Sequence, residues 1–313
     1  MTSLRLALAT LVAVCVVLVT CLVSIPAVAR GQITREDVRQ LVAKGDPATK
    51  RTRATISFNG TEREYFVQLP HDYESRRTYW LLVAAHGGGG NGADSRVGRY
   101  GHWAERLGLE AIVVTPTFHQ TNAAAVRFPS LGEDEFLKAV IADVKSNHKL
   151  QARILLTGYS RGGQFSHRFA LQNPRLVFAC APQAAGSWTT PDGRFLMEGR
   201  GEIRNPSKAL ASMAPSDLQK RWRANFDPRA VAPVAGLPAK PGAERIPFHV
   251  MCGTLDTRYE IALDFVASLK DSGYEVTTEW PRSPHGPTEP GHVEEWEKFR
   301  RRAIEFLLEV TAR

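Results

Sequence analysis

Short apolar runs alternate with longer amphipathic stretches along the chain from residue 54 onward. The first two runs flank Asn59-Gly60, a dipeptide typical of the tight turn in a β-hairpin. The run Tyr79–Ala85 is apolar throughout, which is typical of a strand buried on both faces of a parallel sheet. In all, the pattern predicts eight strands: ATISFNG, EYFVQLP, YWLLVAA, EAIVVTP, ARILLTG, RLVFACAP, IPFHVMCGT and YEVTTEW.

Helical patterns follow most of the later strands. In the first of them, Phe136, Val140 and Val144 recur at the spacing of one helix face. The predicted helices are GEDEFLKAVIADVKSNH, RGGQFSHRFALQNP, RYEIALDFVASLKDSG and VEEWEKFRRRAIEFLLEV, with a further short one, ITREDVRQLVAKG, near the N-terminus. Strands that alternate with helices pack as a doubly wound sheet, so we expect a three-layer α/β sandwich with a mostly parallel eight-stranded sheet.

The segment 187–245 interrupts the alternation of strands and helices between the sixth and seventh predicted strands. It contains Gly, Pro, Arg and Trp with only short helical patterns, such as PSDLQKRWRANF. One crossover helix would suffice to connect the two strands, and a loop of this length is usually functional. We therefore expect a lid-like insertion over a functional site, with a decorated surface crossover as the alternative.

Residues 1–29 have the pattern of a secretory signal peptide. Arg5 supplies a basic start, Leu6–Ile25 is uncharged and apolar, and Ala27–Ala29 offers a small-residue cleavage site. An apolar run of about 20 residues is also long enough to span a bilayer, so an uncleaved N-terminal anchor stays open. We expect the rest of the chain to work outside the cytoplasm.

The composition fits a folded globular domain with a sizeable core, since 43% of the 313 residues are hydrophobic and 23% are charged. We place this domain at 54–313, after an N-terminal helix and linker at 30–53. The net charge of +8 indicates a basic surface, but no basic stripe with interleaved aromatic residues points to nucleic acid. We expect membrane contact only through the N-terminal segment, if it stays uncleaved.

Outside the leader the chain has two cysteines, Cys180 and Cys252, each near the end of a predicted strand. An extracytoplasmic location would permit a disulfide between them. We expect two separate buried thiols, with the disulfide as the open alternative.

A Gly-x-Ser-x-Gly pentad stands where a predicted buried strand passes directly into a predicted helix. It runs from Gly158 to Gly162, with Ser160 at its centre. A sharp strand-to-helix turn needs glycines where backbones approach closely, and it exposes the serine above the sheet at a helix N-terminus. We therefore predict that Ser160 is a nucleophile. A glycine-rich turn with a capping serine is the alternative.

A serine hydroxyl needs a base to take its proton and donors to hold an oxyanion. The loop HGGGG after Tyr79–Ala85 is suited to donation, because glycines leave backbone N–H groups open to a substrate. We predict that the oxyanion hole consists of the backbone N–H of Arg161 and one from Gly87 or Gly88, with Gly88 favoured. We expect His86 to pack or bond locally, since it precedes the serine in the chain.

The partners of the serine are expected after later strands. Asp256 lies in a loop just past IPFHVMC, where a carboxylate can bond and orient a histidine, and capping of the next helix is the alternative. His285 follows YEVTTEW by a short proline-rich turn, and His292 lies next to the start of the last predicted helix. We assign His285 as the base with His292 as the alternative, and Glu260 is the nearest substitute for Asp256.

Together these stretches resemble the α/β-hydrolases, and among them the secreted esterase branch with polyhydroxybutyrate depolymerase-like and feruloyl esterase-like proteins. The likeness rests on YFVQLPHDY, WLLVAAHGGGGNG, FLKAVIADV, RILLTGYSRGGQFSHRFALQNPRLVFACAPQAAG, GTLDTRY and EWPRSPHG. It implies a three-layer α/β-hydrolase sandwich with Ser160, Asp256 and His285 as a catalytic triad. One departure concerns the histidine, because Pro284 and Gly286 flank it where the family often has a glycine-rich turn followed by Trp-Pro.

We therefore expect a secreted serine hydrolase that cleaves carboxylic ester bonds through an acyl-enzyme intermediate. Its partner would be a small-molecule or polymeric ester, and no cofactor is implied. No Cys/His cluster with ligand spacing predicts a metal, and HGGGGNG lacks the Lys-Ser/Thr of a phosphate-binding loop. The alternatives are a prolyl-oligopeptidase-type serine peptidase with the same fold and triad, and a non-catalytic binding protein of this fold.

Overall fold

The computed structural model describes residues 51–118, 132–198, 201–203, 244–285 and 292–313. The predicted leader and N-terminal helix lie outside these residues, as does most of the insertion. The described strands are β1 (Arg51–Phe58), β2 (Thr61–Gln68), β3 (Tyr79–Ala85), β4 (Ala111–Pro116), β5 (Leu150–Tyr159), β6 (Val177–Gln183), β7 (Ser187–Thr189), β8 (Phe195–Met197), β9 (Gly201–Ile203), β10 (Phe248–Met251) and β11 (Val276–Glu279). The described helices are α1 (Ser95–Leu107), α2 (Glu133–Asn147), α3 (Arg161–Gln172), α4 (Tyr259–Asp271) and α5 (His292–Thr311). None of these helices is both long and apolar enough to cross a bilayer.

Eight of the strands form one sheet in the order β1-β2-β4-β3-β5-β6-β10-β11. β2 pairs antiparallel with both β1 and β4, whereas the remaining neighbours pair in parallel. All eight predicted strands are present in this sheet, so the prediction of a mostly parallel eight-stranded sheet is confirmed. β1 begins at Arg51, slightly before the predicted start of the domain.

The first two strands are joined by the tight turn at Asn59-Gly60. Both residues have positive φ, 49° and 74°, which a two-residue hairpin turn needs and which Asn and Gly adopt readily. The strands run in register from Arg51 opposite Gln68 to Phe58 opposite Thr61. The predicted hairpin is therefore confirmed.

Helices cover both faces of the sheet because its central strands are apolar on both sides. Leu81, Val83 and Leu156 belong to one buried cluster with residues of α2, α3 and α4. Leu82 and Leu155 are equally buried and, one position along each strand, face the opposite side. On that side α1 packs against β3 and β4, and α5 packs against β6 and β10. The chain is therefore a three-layer α/β sandwich, as predicted.

Helix α1 has no counterpart among the predicted helices. Two internal glycines lower its helix propensity. Its ends do carry capping signals, because the Asp94 side chain accepts a hydrogen bond from the Arg96 N–H and Gly108 adopts the left-handed conformation. Burial of Tyr100 and Trp103 stabilises the helix, and local propensity does not report that tertiary contribution.

The insertion begins with a small sheet that the sequence pattern does not predict. β7, β8 and β9 form this antiparallel three-stranded sheet. Trp188, Phe195 and Met197 are fully buried in it, and it packs against α3 and α4. The described start of the insertion therefore belongs to the core, and the lid that we expect stays a prediction for the rest of the segment, which lies outside the described residues. The helical pattern at 215–226 lies outside the described residues.

Cys180 and Cys252 are both buried, and neither forms a disulfide. Burial raises the pKa of each thiol above its ordinary value, so both stay protonated at neutral pH. The expectation of two separate buried thiols is confirmed.

Helices α1 and α5 are joined by a buried ion-pair network around Glu297. The Glu297 side chain is 1% exposed, and its carboxylate lies 2.6 Å from the guanidinium of Arg300 and 3.3 Å from that of Arg99. Its second oxygen accepts a hydrogen bond of 2.9 Å from the indole N–H of Trp103. Buried charges are tolerated when they are paired and hydrogen-bonded in this way. The network holds α5 against α1, and α5 in turn carries residues that reach the candidate site.

Candidate active site

Ser160 lies on the turn between β5, which ends at Tyr159, and α3, which begins at Arg161. Its backbone has φ 56° and ψ −112°, a conformation that a non-glycine residue keeps only when the surrounding structure enforces it. The turn lifts the side chain clear of the sheet at the first turn of α3, where helix N–H groups favour negative charge. Ser160 therefore occupies the strand-turn-helix motif predicted from the pentad.

The glycines of the pentad let α3 begin in direct contact with the sheet. A Cβ on Gly162 would lie 2.1 Å from the carbonyl oxygen of Ala85 in β3. A Cβ on Gly158 would lie 2.6 Å from the carbonyl group of Gly162 itself. Both distances are far shorter than van der Waals contact, so a side chain at either position would displace backbone. This close approach holds Ser160 in its strained conformation.

Asp256 and His285 lie on the loops that follow the neighbouring parallel strands β10 and β11. The two loops are hydrogen-bonded to each other, since the N–H of Leu255 donates to the carbonyl of Ser283 at 3.2 Å. Parallel neighbours end at the same edge of a sheet. The loops therefore emerge side by side, at the edge where β5 delivers Ser160.

The three predicted residues form a continuous chain of hydrogen bonds. The Nε2 atom of His285 lies 3.0 Å from the Oγ atom of Ser160, and its Nδ1 atom lies 2.8 Å from an oxygen of Asp256. With a proton on Nδ1, Nε2 is an acceptor directed at the serine hydroxyl. Of the alternatives, His292 is the first residue of α5 and Glu260 lies in the first turn of α4. His285 therefore lies within hydrogen-bonding distance of both Ser160 and Asp256, as the sequence predicts.

The Asp256 carboxylate is ionised although its side chain is 0% exposed. Burial by itself raises its pKa, but the hydrogen bond from His285 and the charges of His285 and Arg258 outweigh burial. The pKa of Asp256 therefore lies below its ordinary value. An ionised carboxylate in this position orients the imidazole and stabilises its protonated form.

Aromatic side chains support the His285 ring. The ring stacks on Tyr159 with centres 5.2 Å apart, and Tyr159 in turn packs on Trp296 of α5 with centres 4.7 Å apart. The Tyr159 hydroxyl also donates a hydrogen bond to the backbone carbonyl of His285. These contacts restrict both the ring and the loop that carries it. No local sequence pattern predicts these contacts, because Trp296 is far from the pentad along the chain.

The glycine-rich loop after β3 passes directly beside the serine. A Cβ on Gly87 would lie 4.0 Å from the Cβ of Ser160. A Cβ on Gly88 would lie 3.4 Å from the end of the Arg161 side chain. The loop and the start of α3 therefore enclose the serine from two sides, and they carry the residues predicted as oxyanion donors.

His86 is 2% exposed and bonds locally, as expected from its place in the chain. Its Nε2 atom accepts a hydrogen bond of 3.1 Å from the N–H of Phe118, and its Nδ1 atom lies 2.9 Å from the carbonyl oxygen of Gly87. Burial lowers the pKa of His86 to about 4, so the ring is neutral at physiological pH. His86 thus fixes the loop in place.

A cavity of about 220 Å³ lies at Ser160. Its walls include His285, the glycine-rich loop, and Trp296 and Arg300 from α5. Among the described residues, no group of three or more His, Cys, Asp or Glu side chains is arranged to hold a metal. A serine hydroxyl that gives its proton to an oriented imidazole can attack a carbonyl group bound in this cavity, and adjacent backbone N–H groups can stabilise the oxygen that becomes negative.

Gly162→Ala is expected to lower the free energy of unfolding by about 2 kcal/mol or more, because the new Cβ must push α3 away from β3. Urea denaturation measures this loss. Gly88→Ala is the matched control, since its Cβ would meet only a flexible side chain at 3.4 Å, and its stability should stay within about 0.5 kcal/mol of wild type. Equal stability of the two variants would show that α3 accommodates a side chain at its start.

His86→Gln is expected to make the stability less sensitive to acid. The pKa of His86 is about 4 in the folded chain and about 6.5 in an unfolded chain, so the unfolded state binds more protons between these values. The stability that neutral His86 contributes is therefore complete above about pH 6.5 and is lost as the pH falls towards 4.

Urea unfolding at pH 7 and pH 4.5 measures this difference. Between these values the wild type should lose about 2–3 kcal/mol more stability than the His86→Gln variant. His71→Gln, at an exposed position, is the control and should lose as much as the wild type. A loss in His86→Gln equal to that of the wild type would contradict the buried neutral state of His86.

No family model matches the sequence, and no curated protein matches it either. The structure, in contrast, is similar to solved structures of serine hydrolases and esterases. The fluorophosphonate-binding serine hydrolase FphF of Staphylococcus aureus is 17% identical, with 82% of this chain and 97% of that chain covered and a TM-score of 0.54. The feruloyl esterase module of Clostridium thermocellum is 15% identical, with 82% of this chain and 87% of that chain covered and a TM-score of 0.54.

A peptidase has a similar structure. An acylaminoacyl peptidase of Pyrococcus horikoshii is 16% identical, and the match covers 82% of this chain and 41% of that chain with a TM-score of 0.57. Identities this low show a common fold, and the reaction has to be argued from the residues of the site. The strand order, the turn at Ser160 and the similar structures agree that the chain has the α/β-hydrolase fold.

Proposed function

We propose that the protein is a serine hydrolase that cleaves carboxylic esters through an acyl-enzyme intermediate. The observation that carries the proposal is the chain of hydrogen bonds from Ser160 to His285 at 3.0 Å and from His285 to Asp256 at 2.8 Å. Solved structures of serine hydrolases and esterases with the same fold support this reaction class. The choice of an ester over an amide follows from the esterases among them and from the sequence resemblance.

In the first half of the reaction, His285 removes the proton of the Ser160 hydroxyl as the serine oxygen attacks the ester carbonyl. The buried, ionised Asp256 stabilises the imidazolium that forms. His285 then gives this proton to the departing alcohol, and the acyl group remains on Ser160. In the second half, His285 activates a water molecule that attacks the acyl group, which releases the acid and restores the serine.

The oxygen that becomes negative in each half needs donors near Ser160. The backbone N–H of Arg161 supplies one, because α3 begins directly after the serine and helix N-termini attract negative charge. The second comes from Gly87 or Gly88, which both line the cavity. The sequence pattern favours Gly88, and Gly87 is the alternative, since a Cβ on it would lie 4.0 Å from the Cβ of Ser160.

We also propose that the reaction takes place outside the cytoplasm. The support is the leader pattern of residues 1–29, with its apolar run and small-residue cleavage site. N-terminal sequencing of the protein recovered from the medium of an expressing culture tests this. We expect a mature start near Arg30, and recovery of the intact N-terminus from the membrane fraction would indicate an anchor instead.

Labelling of the purified protein with a fluorophosphonate probe tests the nucleophile and its base. We expect rapid labelling of the wild type and no labelling of Ser160→Ala. Labelling of His285→Ala should be slower by at least about 10³-fold, because the hydroxyl loses its proton acceptor. Ser146→Ala is the matched control, since Ser146 is exposed on α2, and it should label like the wild type.

The variant His292→Ala separates the two candidate bases. Labelling that survives the loss of His285 but disappears with the loss of His292 would reverse the assignment of the base. Absence of labelling in the wild type would contradict the serine hydrolase and favour a binding protein of this fold.

Turnover then separates an esterase from a peptidase. Rates are measured on p-nitrophenyl acetate and butyrate, methyl ferulate, a polyester film and an acylaminoacyl p-nitroanilide. Faster turnover of the anilide than of the esters would favour a peptidase, for which the structural similarity to an acylaminoacyl peptidase is the support. We expect the esters to be the better substrates.

A further inference from the structure

The oxygen of Asp256 that faces away from His285 is bound by Arg258. Oδ1 accepts hydrogen bonds from the backbone N–H of Arg258 and from its Nη1 atom, each at 3.0 Å, while Oδ2 faces His285. The Asp256 side chain is 0% exposed, so solvent cannot supply these bonds. Arg258 therefore fixes the rotation of the carboxylate and with it the oxygen that meets the imidazole.

Arg258 is itself held by the insertion. Its Nη2 atom forms an ion pair of 3.0 Å with Glu198, the residue directly after β8. The Thr257 hydroxyl donates a hydrogen bond of 2.6 Å to the other oxygen of the same carboxylate. The side chains of Arg258 and Glu198 are 18% and 26% exposed, so water screens their charges only in part. The partly exposed Glu198 is thus paired with Arg258, which is paired in turn with the buried Asp256.

The described start of the insertion supports Glu198, because β7 and β8 are part of the core. Arg168 of α3 donates hydrogen bonds to the hydroxyls of Ser187 and Thr189 in β7, each at 2.9 Å. The backbone N–H of Glu198 is also hydrogen-bonded, to the carbonyl of Gly186 at 3.1 Å. The helix that starts beside the nucleophile therefore also anchors the small sheet that carries Glu198.

We propose that Arg258 is a positioning residue for the acid–base pair, by which we mean Asp256 and His285, and that the insertion tunes it through Glu198. The inference rests on the proposed hydrolase function, because Arg258 acts through the pair and does not itself touch the reacting atoms. The guanidinium holds the carboxylate ionised and in one orientation. The Glu198 carboxylate fixes the guanidinium and offsets part of its charge. The described start of the insertion is thereby a support of the site.

The charge that acts on the acid–base pair comes mainly from Arg258. Two other titratable groups near the pair are Cys252 just after β10 and Tyr159 at the end of β5. Burial raises the pKa of both, so each is neutral at physiological pH. Arg300 of α5 also acts on the Tyr159 hydroxyl. The cavity that His285 lines also carries the charged side chains of Asp94 and Arg96, which pair with each other, and of Arg300, which pairs with Glu297.

The two charges have opposite effects on the protonation of the acid–base pair. Without the Arg258 cation the pair binds a proton more tightly, so the acid limb of kcat/KM moves to higher pH. Without the Glu198 anion the cation acts undiminished, and the acid limb moves to lower pH. Two residues that only stabilise the fold would not shift this limb in opposite directions.

The test measures kcat/KM against pH with p-nitrophenyl acetate as the substrate. For Arg258→Met we expect a loss of about 10- to 100-fold in kcat/KM, since the carboxylate loses its orientation, and a rise of the acid limb by about half a pH unit or more. For Glu198→Gln we expect a smaller loss and a limb at lower pH. Arg258→Lys should have a kcat/KM between those of Arg258→Met and the wild type. An ammonium restores the charge but cannot bind Asp256 and Glu198 through two separate nitrogen atoms, as the guanidinium does.

Arg194→Met is the matched control, because Arg194 forms an ion pair with Asp192 at the surface of the same insertion. It should leave both the rate and the acid limb unchanged. Unshifted limbs in Arg258→Met and Glu198→Gln would overturn the inference and leave the hydrolase proposal standing. Absence of fluorophosphonate labelling in the wild type would instead contradict the hydrolase proposal. If Arg258→Met fails to fold, as thermal melting would reveal, Arg258→Lys and Glu198→Gln still decide the question.

Discussion

The contact between the first turn of α3 and strand β3 is the constraint on which the candidate site depends. The backbone of Gly162 lies so near Ala85 that a Cβ there would stand 2.1 Å from the carbonyl oxygen. A helix packed this tightly must leave its strand through a sharp turn, and the turn forces Ser160 to a φ of 56°. The surrounding sheet, whose central strands are buried on both faces, supplies the packing free energy that offsets this strain. The position of Ser160 is thus a consequence of core packing.

A second requirement is that a carboxylate stay ionised inside the protein. Asp256 meets it by saturating its oxygens with hydrogen bonds, since His285 faces one oxygen and Arg258 binds the other. Burial opposes ionisation of the carboxylate, but the hydrogen bond from His285 and the charges of His285 and Arg258 outweigh it. The imidazole then has a fixed neighbour on its Nδ1 side, and the stacked Tyr159 ring restricts its remaining freedom. Each of these contacts narrows the set of orientations in which Nε2 meets the serine.

The described start of the insertion extends the core of the domain. The first two strands of the insertion, β7 and β8, are as buried as the main core. The polar contacts of this segment also lead inward, through Arg168 to α3 and through Glu198 to Arg258. An element that extends the core in this way can hold charged side chains in place near Asp256, which a loosely tethered loop cannot do.

Local pattern alone determined the eight strands, four of the five described helices, and the turn that carries Ser160. Apolar runs, amphipathic spacing and paired glycines reflect interactions between residues that are close in the sequence. Ser160, Asp256 and His285 each follow a predicted strand, and because parallel strands end at one edge of a sheet, the sequence also predicts that the three lie close together. Tertiary structure alone decided the rest. Helix α1 depends on Trp103 meeting Glu297 from the last helix, and β7, β8 and β9 are each too short to show an alternation. The support of His285 by Tyr159 and Trp296, and of Asp256 by Arg258 and Glu198, joins residues from separate segments of the chain. Such contacts depend on how the folded layers bring distant segments together. A local sequence pattern carries no information on the distance between side chains that are far apart in the chain.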